Sequence, residues 1–498
     1  MRKRLTLMLA ILASFIYTPM MAARNLDFAT IDLLTYRCFQ EKKWDSVIIV
    51  GKQALRQNID YYYLRARMGI SYFERTQYIP AIIHLKKAWQ FNSGDPVIGR
   101  YLYQAYYYSN RHDEARLLRS ATAPEDRAAA LETHGFLEEV HFEGGYSISS
   151  DKSPSNLGTM MEKDSIYGER DLYGNSYYAN LGLKLKISNR VGLSFAYNHL
   201  NFTKTKYIQY IRNEDHLQSI SDSSWGRNYN YTFPWVTHDT SFIYHVTQNE
   251  ACISAPISLP WGIRITPAFH WIRVGYNMVN PGYRRDTVRD TAFYTAYDNT
   301  YHTFPFTRLN YSFDRKDKTI DNFVAALRIS KDFRRFTFAL SGSWSNLNGK
   351  TQKQAAIAVT YYPLGNFNLY GTSSATGFVQ GTTSRLLLNQ VLGVKITRWM
   401  WGEANFYYGD YTNANIFNGS VVYNNSDIID YRGGATLVFV VGKHIQLSLI
   451  YQYFKKESQQ VYYIKKQDPD THTMKETQQT KNNPYNINTL IGGITWKL

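Results

Sequence analysis

Cysteine is nearly absent. Cys38 and Cys252 are the only two in 498 residues, too few for a disulfide framework even in an oxidising compartment. They fall in different regions of the chain and are read as buried apolar fillers. After the N-terminal stretch no run of 18 apolar residues occurs, which excludes helical membrane spans. Catalytic signatures are missing as well: there is no HExxH, nucleophile elbow, paired zinc motif or phosphate-cradling glycine loop. His199, His238, His245 and His270 are gathered in one stretch, but histidines in aromatic-rich strands serve more often as interfacial polar groups than as catalysts. No catalytic residue, metal ligand or cofactor is therefore expected. The chain reads as a non-enzyme.

Charged residues make up only 19%, yet mean hydropathy is −0.40 and aromatics reach 16%, with 42 Tyr, 26 Phe and 10 Trp. A hydrophobic content of 44% is ample for a core and excludes disorder. A composition both polar and aromatic points to residue-by-residue interleaving, as in an outer-membrane β-barrel. Arg2, Lys3 and Arg4 followed by the apolar run Leu5–Met21 and then Ala22 and Ala23 predict a signal peptide over residues 1–23. The alternative, a membrane anchor, needs a longer run. No Cys stands at the cleavage point, so no lipoprotein anchor is expected. The net charge is +16, of which +10 lies in residues 139–498. That excess suits anionic lipid or an anionic cargo. Nucleic acid is not an expected partner of an exported chain.

Residues 28–119 repeat with a period of 34: Cys38, Tyr72 and Tyr106 align, as do Trp44, Tyr78 and His112, and Val47, Ala81 and Ala115. Leu34, Met68 and Leu102 form another column, Ala54 and Ala88 a fifth, and Gly69 supplies a small residue for close helix contact. This pattern resembles the tetratricopeptide repeat (TPR), most fully in the central unit and with Thr35 and Tyr103 replacing the Gly in the outer two. The resemblance predicts helical repeats over residues 24–120 and a capping helix and linker over 121–138. It implies a concave groove for a periplasmic protein or polymer, at or near Tyr36, Arg67, Phe73, Arg100, Gln104 and Tyr107. The alternative for each of these is a solvated or intramolecular role.

From Val140 the apolar period changes from 3.6 to 2. Leu181-Leu183-Leu185-Ile187 and Val191-Leu193-Phe195-Tyr197 read as a tight hairpin about Asn189-Arg190. Short turns are also expected at 260–262, 331–332, 363–366, 398–399 and 442–443. Polar loops are expected at 151–174, 204–238, 277–320, 412–426 and 458–484. Parity places tight turns at one end and long loops at the other, and gives about 14 antiparallel strands over 139–498. Leu490, Gly492, Ile494, Trp496 and Leu498 share a face of the last strand. They look like the C-terminal signal of outer-membrane assembly, with the aromatic two residues early.

Alternation sends Phe142, Leu183, Phe195, Ile265, Phe338, Ile357, Leu388, Leu437 and Leu449 to lipid. It sends Lys184, Lys186, Arg264, Arg328, Arg385, Lys395, Arg432 and Lys497 to the lumen, against Glu143 and Glu403. Such a wall favours anionic cargo. The alternative is that these charges pair with loop carboxylates such as Asp286 and Asp314. The fold class is thus a short TPR-like α-solenoid followed by a transmembrane β-barrel. Its layout resembles the YaiO-like and exopolysaccharide-exporting porins, and also the surface lipoprotein assembly modulators. The implied location is the outer membrane with the repeats in the periplasm. The implied function is a channel or export pore with a basic lumen. The alternative is a plugged scaffold or surface-protein translocon.

Overall fold

In the computed structural model residues 27–498 are described, apart from 110, 122–134, 152–164, 214–215, 224–225, 233–234, 260–261, 296–299, 425 and 468–473. The expected signal peptide lies outside the described residues, as does the capping stretch from Pro124 up to residue 134. Leu137, expected at its end, opens a strand.

Among the described residues the first unit has six helices: α1 Phe28–Gln40, α2 Trp44–Arg56, α3 Tyr62–Glu74, α4 Tyr78–Phe91, α5 Pro96–Tyr108 and α6 His112–Ala121. First helices start at residues 28, 62 and 96 and second helices at 44, 78 and 112, so the 34-residue period of the sequence is the period of the fold. Asp95 caps α5 by accepting from the amides of Val97 at 2.8 Å and Ile98 at 3.2 Å, with Pro96 following it. Within the first two pairs the chain turns through a left-handed residue, Lys42 at φ 55° and Thr76 at φ 57°. The repeated columns are the core. Val47, Ala81, Ala115, Ala54, Ala88 and Met68 are fully buried, and Leu64 and Leu85 join them. Each fully buried Leu or Met contributes about 2 kcal/mol of transfer free energy. Where Thr35 replaces the small Gly, its hydroxyl donates to the Ile31 carbonyl at 2.8 Å, so the buried oxygen is satisfied.

His84 on α4 stacks on Tyr72 at 5.3 Å, and its Nδ1 accepts from Arg65 Nη1 at 3.1 Å. Burial, with the Arg65 charge beside it, pushes the ring down to about 4 from an ordinary 6.5. The unfolded chain therefore binds a proton near pH 6.5 that the folded chain refuses until about pH 4. Stability from this site is complete above pH 6.5 and falls as pH drops toward 4. We expect the helical unit to lose about 2 kcal/mol between pH 7 and pH 5. His84→Leu should remove most of that dependence in circular-dichroism melts of the detergent-solubilised protein. An unchanged pH dependence in the variant would refute the assignment.

The second unit is a closed antiparallel barrel. Its wall strands are β1 Leu137–Ser149, β2 Ser165–Lys186, β3 Gly192–Asn213, β6 Trp235–Ser254 with its continuation β7 Ile257–Leu259, β8 Ile263–Thr295, β9 Thr300–Phe333, β10 Phe336–Ser345, β11 Gln352–Tyr361, β12 Leu369–Gln380, β13 Thr383–Lys395, β14 Met400–Tyr408, β17 Ile428–Val441, β18 Ile445–Gln467 and β19 Met474–Lys497. Two small hairpins stand apart, β4 His216–Ser223 with β5 Gly226–Thr232, and β15 Asn415–Ile416 with β16 Val421–Val422. Counting β6 and β7 as one, the wall has the fourteen strands the periodicity gives. The last strand closes on the first, from Glu139 opposite Lys497 to Ser149 opposite Ile487.

The outward face is apolar. Leu340, Leu386 and Ile357 are each about 60% exposed, within a belt that includes Phe142, Phe195, Phe338, Leu388, Leu449 and Trp496. A contiguous apolar surface of this extent is stable only against lipid, so the barrel is a transmembrane one. Tight turns gather at one end, with Arg334 at φ 52° and Gly442 at φ 70° supplying the left-handed residues two of them need.

Four of the expected loops are different in kind, and in the first of them, 151–174, the described residues from Ser165 onward belong to β2. Residues 277–295 and 300–318 continue the β8–β9 ladder in unbroken pairing apart from one register shift between Thr291 and Phe293. The β18–β19 ladder likewise runs on to Gln467 opposite Met474. Most of 204–238 is strand or hairpin too. Residues 204–210 pair with both β2 and β6, and Gln460–Ile464 pair with β2, so here the wall itself is extended, around a buried apolar cluster of Ile166, Tyr167 and Ile208 with Tyr311 and Phe313 against it.

Candidate functional site

One connection turns inward instead. It joins β14 to β17, the eleventh and twelfth wall strands, and spans residues 409–427. Gly409, at φ +116°, lets the chain leave the wall: a Cβ there would stand 2.8 Å from the Leu386 carbonyl. From that point the loop is fastened around the inner wall by a succession of polar contacts.

Tyr411 donates to the Leu388 carbonyl at 2.9 Å. Asn413 donates to Gln380 Oε1 at 3.2 Å and accepts from Asn348 at 2.6 Å. Asn415 donates to Ser343 Oγ at 3.0 Å, and its amide reaches Gln354 on β11. Asn418 donates to the Thr266 carbonyl at 2.9 Å, and His270 Nδ1 donates to the Gly419 carbonyl at 2.8 Å. Thr266 and His270 lie on β8, the fifth wall strand, halfway round the ring from the loop's root. The loop crosses the lumen.

The far anchor has its own support. His270 is buried, and its Nε2 stands 3.1 Å from Glu250 Oε2. Glu250 also accepts from Asn198 at 2.9 Å and from Gln248. Gly419, at φ +81°, brings the loop against Val324 and Ala326. Near the root, Tyr485 donates to Asp427 at 2.6 Å, and buried Tyr407, Tyr411, Phe378 and Ile429 form an apolar packing beneath the loop.

All seven basic residues proposed for the lumen point inward, on the face opposite the exposed Leu, Ile and Phe. Two of them are corrected in role. Arg385 is held by Asp410, by the Thr412 carbonyl at 2.8 Å and by the Phe378 ring at 4.0 Å. Arg432 is held by the Tyr423 hydroxyl and sits over Tyr407 at 4.7 Å and Phe454 at 5.3 Å. Both fasten the loop, because the loop supplies the partners, and neither is an open lumen charge. Lys184 pairs with Glu139 at 2.7 Å but stays half exposed, and Lys395 lies over Trp401 at 4.6 Å. Lys186, Lys184, Lys395 and Lys497 gather toward the tight-turn end. Arg264 and Arg328 are diagonal neighbours on β8 and β9, paired with Ser330 and Thr266 respectively.

Beneath the loop is a cavity of about 280 Å³ lined by Arg328, Glu403 and Tyr370, by inward Ser and Thr side chains of β10–β12, and by Phe417 and Asn418 of the loop. Tyr370 donates to Glu403 at 2.6 Å. The four histidines do not converge: His199 bonds Asn249 at 2.9 Å on the outer face, His238 stacks on Tyr210 at 5.6 Å, His245 is exposed, and only His270 is buried in the lumen. Among the described residues no group of three His, Cys, Asp or Glu could hold a metal.

On the helical unit, Tyr36 and Arg100 are exposed, and Gln104 and Tyr107 half-buried. Arg67 is tied to Asp32 at 2.6 Å and Thr35 at 2.9 Å, with Tyr36 and Tyr63 against its guanidinium. Phe73 packs on Tyr101 at 5.0 Å and Tyr78 at 5.3 Å. Phe73 is therefore a packing residue and not a free groove contact, because its face of α3 meets the next repeat. The sequence did not single out Asp410, Asn415, Asn418, Gly419 or Glu250. The one available signal was the density of Asn in "YTNANIFNGS", unusual for a segment with only solvent to bond.

No family model matches the chain, and no curated relative does. Among solved structures it is similar to a mutant of MamA, at 16% identity over 22% of this chain and 79% of that one, TM-score 0.19. It is similar to a Pseudomonas aeruginosa FadL homologue at 9% identity, over 72% and 90% of the two chains, TM-score 0.36. It is also similar to the Acinetobacter baumannii outer membrane protein Omp33 at 9% identity, over 73% and 100%, TM-score 0.30. Likenesses this faint carry no inference about the chain's activity.

Proposed function

We propose that the barrel is an outer-membrane channel narrowed by its own loop 409–427, with a basic mouth at the tight-turn end that favours anionic solutes. The loop across the lumen carries this reading. Its fastenings are mainly neutral hydrogen bonds, each worth about 1 kcal/mol net, so the segment can be held and still be displaced. A lumen meant only to be filled needs apolar packing throughout. Here the far half of the loop faces a polar cavity. Lys184, Lys186, Lys395 and Lys497 lower the energy of an anion at the mouth.

The tight turns mark the periplasmic side, and β1 begins there, so the helical unit is assigned to the periplasm. Its exposed Tyr36 and Arg100, with Gln104 and Tyr107 beside them, are the positions offered to a partner protein or polymer. A plugged scaffold is the second reading, and the same loop favours it if the loop never moves. Planar-bilayer recording separates the two. The channel reading expects small, anion-selective conductance from the full chain, reduced in selectivity by Lys395→Gln with Lys186→Gln. A folded barrel that stays silent would overturn it in favour of the scaffold.

A further inference from the structure

Among the described residues, one inward basic group beside the loop stands without a partner. Arg385 and Arg432 are held by loop oxygens and aromatic rings. Arg328 has no hydrogen bond, ion pair or ring contact among the described residues, and it lines the cavity beneath the loop. Thr266 and Ser341 flank it across β8 and β10 on the same inner face, and neither is an anion. The adjacent guanidinium of Arg264 adds positive charge. A half-buried guanidinium with no ion-pair or hydrogen-bond partner is costly to keep, because desolvation is not offset by a bonded acceptor. An oxyanion supplied from outside would offset it with paired hydrogen bonds.

The remainder of the cavity says what the oxyanion is attached to. Ser341, Thr372 and Ser374 present hydroxyls that both donate and accept, which suits hydroxyl groups of a ligand. Glu403, steadied by Tyr370, is an acceptor on the far side. Phe417 is half exposed at the loop's tip and offers a ring face to carbon-bound hydrogens.

We propose that this cavity is a binding site for a small polyhydroxylated organic anion, with its carboxylate on Arg328, its hydroxyls toward Ser341, Thr372 and Ser374, and a ring face on Phe417. The volume of about 280 Å³ admits a single sugar-acid unit and not a chain of them. This rests on the channel reading for its purpose, since the site lies on the route a solute would take, but not for its existence.

The test is calorimetric titration of the full chain in detergent with glucuronate, glucose and acetate, run beside bilayer recording. Saturable glucuronate binding is expected, at least tenfold tighter than glucose or acetate, and lost in Arg328→Gln. Because that variant can fail to fold, Ser374→Leu is made as well, which fills the cavity from the opposite wall and leaves every charge in place. It should abolish binding equally. Glucuronate binding that survives both substitutions, glucose binding as tightly as glucuronate, or no binding by a folded barrel would each overturn the proposal. Specific binding by a barrel that conducts nothing supports the site and removes the channel.

Discussion

Excising residues 411–424 and joining Asp410 to Asn425 through a short Gly-Ser linker should raise single-channel conductance several-fold. The loop runs from the eleventh and twelfth wall strands to the fifth, so its removal clears the lumen's width and not only one side. The wall should survive the change, because the β14–β17 ladder from Met400 opposite Phe439 to Tyr408 opposite Tyr431 does not involve the loop. Arg385 and Arg432 would lose Asp410 geometry and Tyr423, and become lumen charges in fact. Anion selectivity should therefore rise along with conductance. Equal conductance with and without the loop would mean that the restriction lies elsewhere.

A change at Gly69 should have the largest effect on stability. A Cβ built there would fall 2.6 Å from Leu85 Cγ, 2.7 Å from its Cδ2 and 3.0 Å from its backbone nitrogen. Leu85 is fully buried between helices that must approach closely, so neither it nor the α4 backbone has room to retreat. Gly69→Val should cost roughly 3 kcal/mol, at the upper end of overpacking, since the branched side chain adds bulk where even one carbon clashes. Thermal melts should show the helical signal lost first while the barrel keeps its heat-modifiable migration on gels. A variant as stable as the parent would mean α3 and α4 pack less closely than the distances state.

The two periods of this chain made most of its fold legible. Trp44, Tyr78 and His112 are matched in sequence and each opens a second helix, because stacked repeats force equivalent residues into equivalent places. Likewise, Leu183 beside Lys184 needs no tertiary knowledge to be sorted into lipid and lumen, since burying a charge in lipid is prohibitive. What could not be read is whatever depends on a distant partner. Arg385 was legible as inward, but its role waits on Asp410, which the sequence shows only as part of a polar loop. His270 faces Glu250 and Gly419 from strands and a loop that no local pattern joins. The ribbon of β8 and β9 looked like a loop for the opposite reason. It carries strand pairing through a sequence that does not alternate apolar with polar.

The central claim is that residues 409–427 sit across the lumen and restrict flow. Its most direct test is a crosslink between Asn415→Cys and Ser343→Cys, made with Cys38→Ser and Cys252→Ser. Asn415 Nδ2 and Ser343 Oγ are 3.0 Å apart, within reach of a short bifunctional thiosulfonate. The crosslink should form in high yield in folded protein and hold the channel at its lowest conductance, with full recovery on reduction. A folded barrel that does not crosslink, or that conducts as freely when crosslinked as when reduced, would contradict the claim.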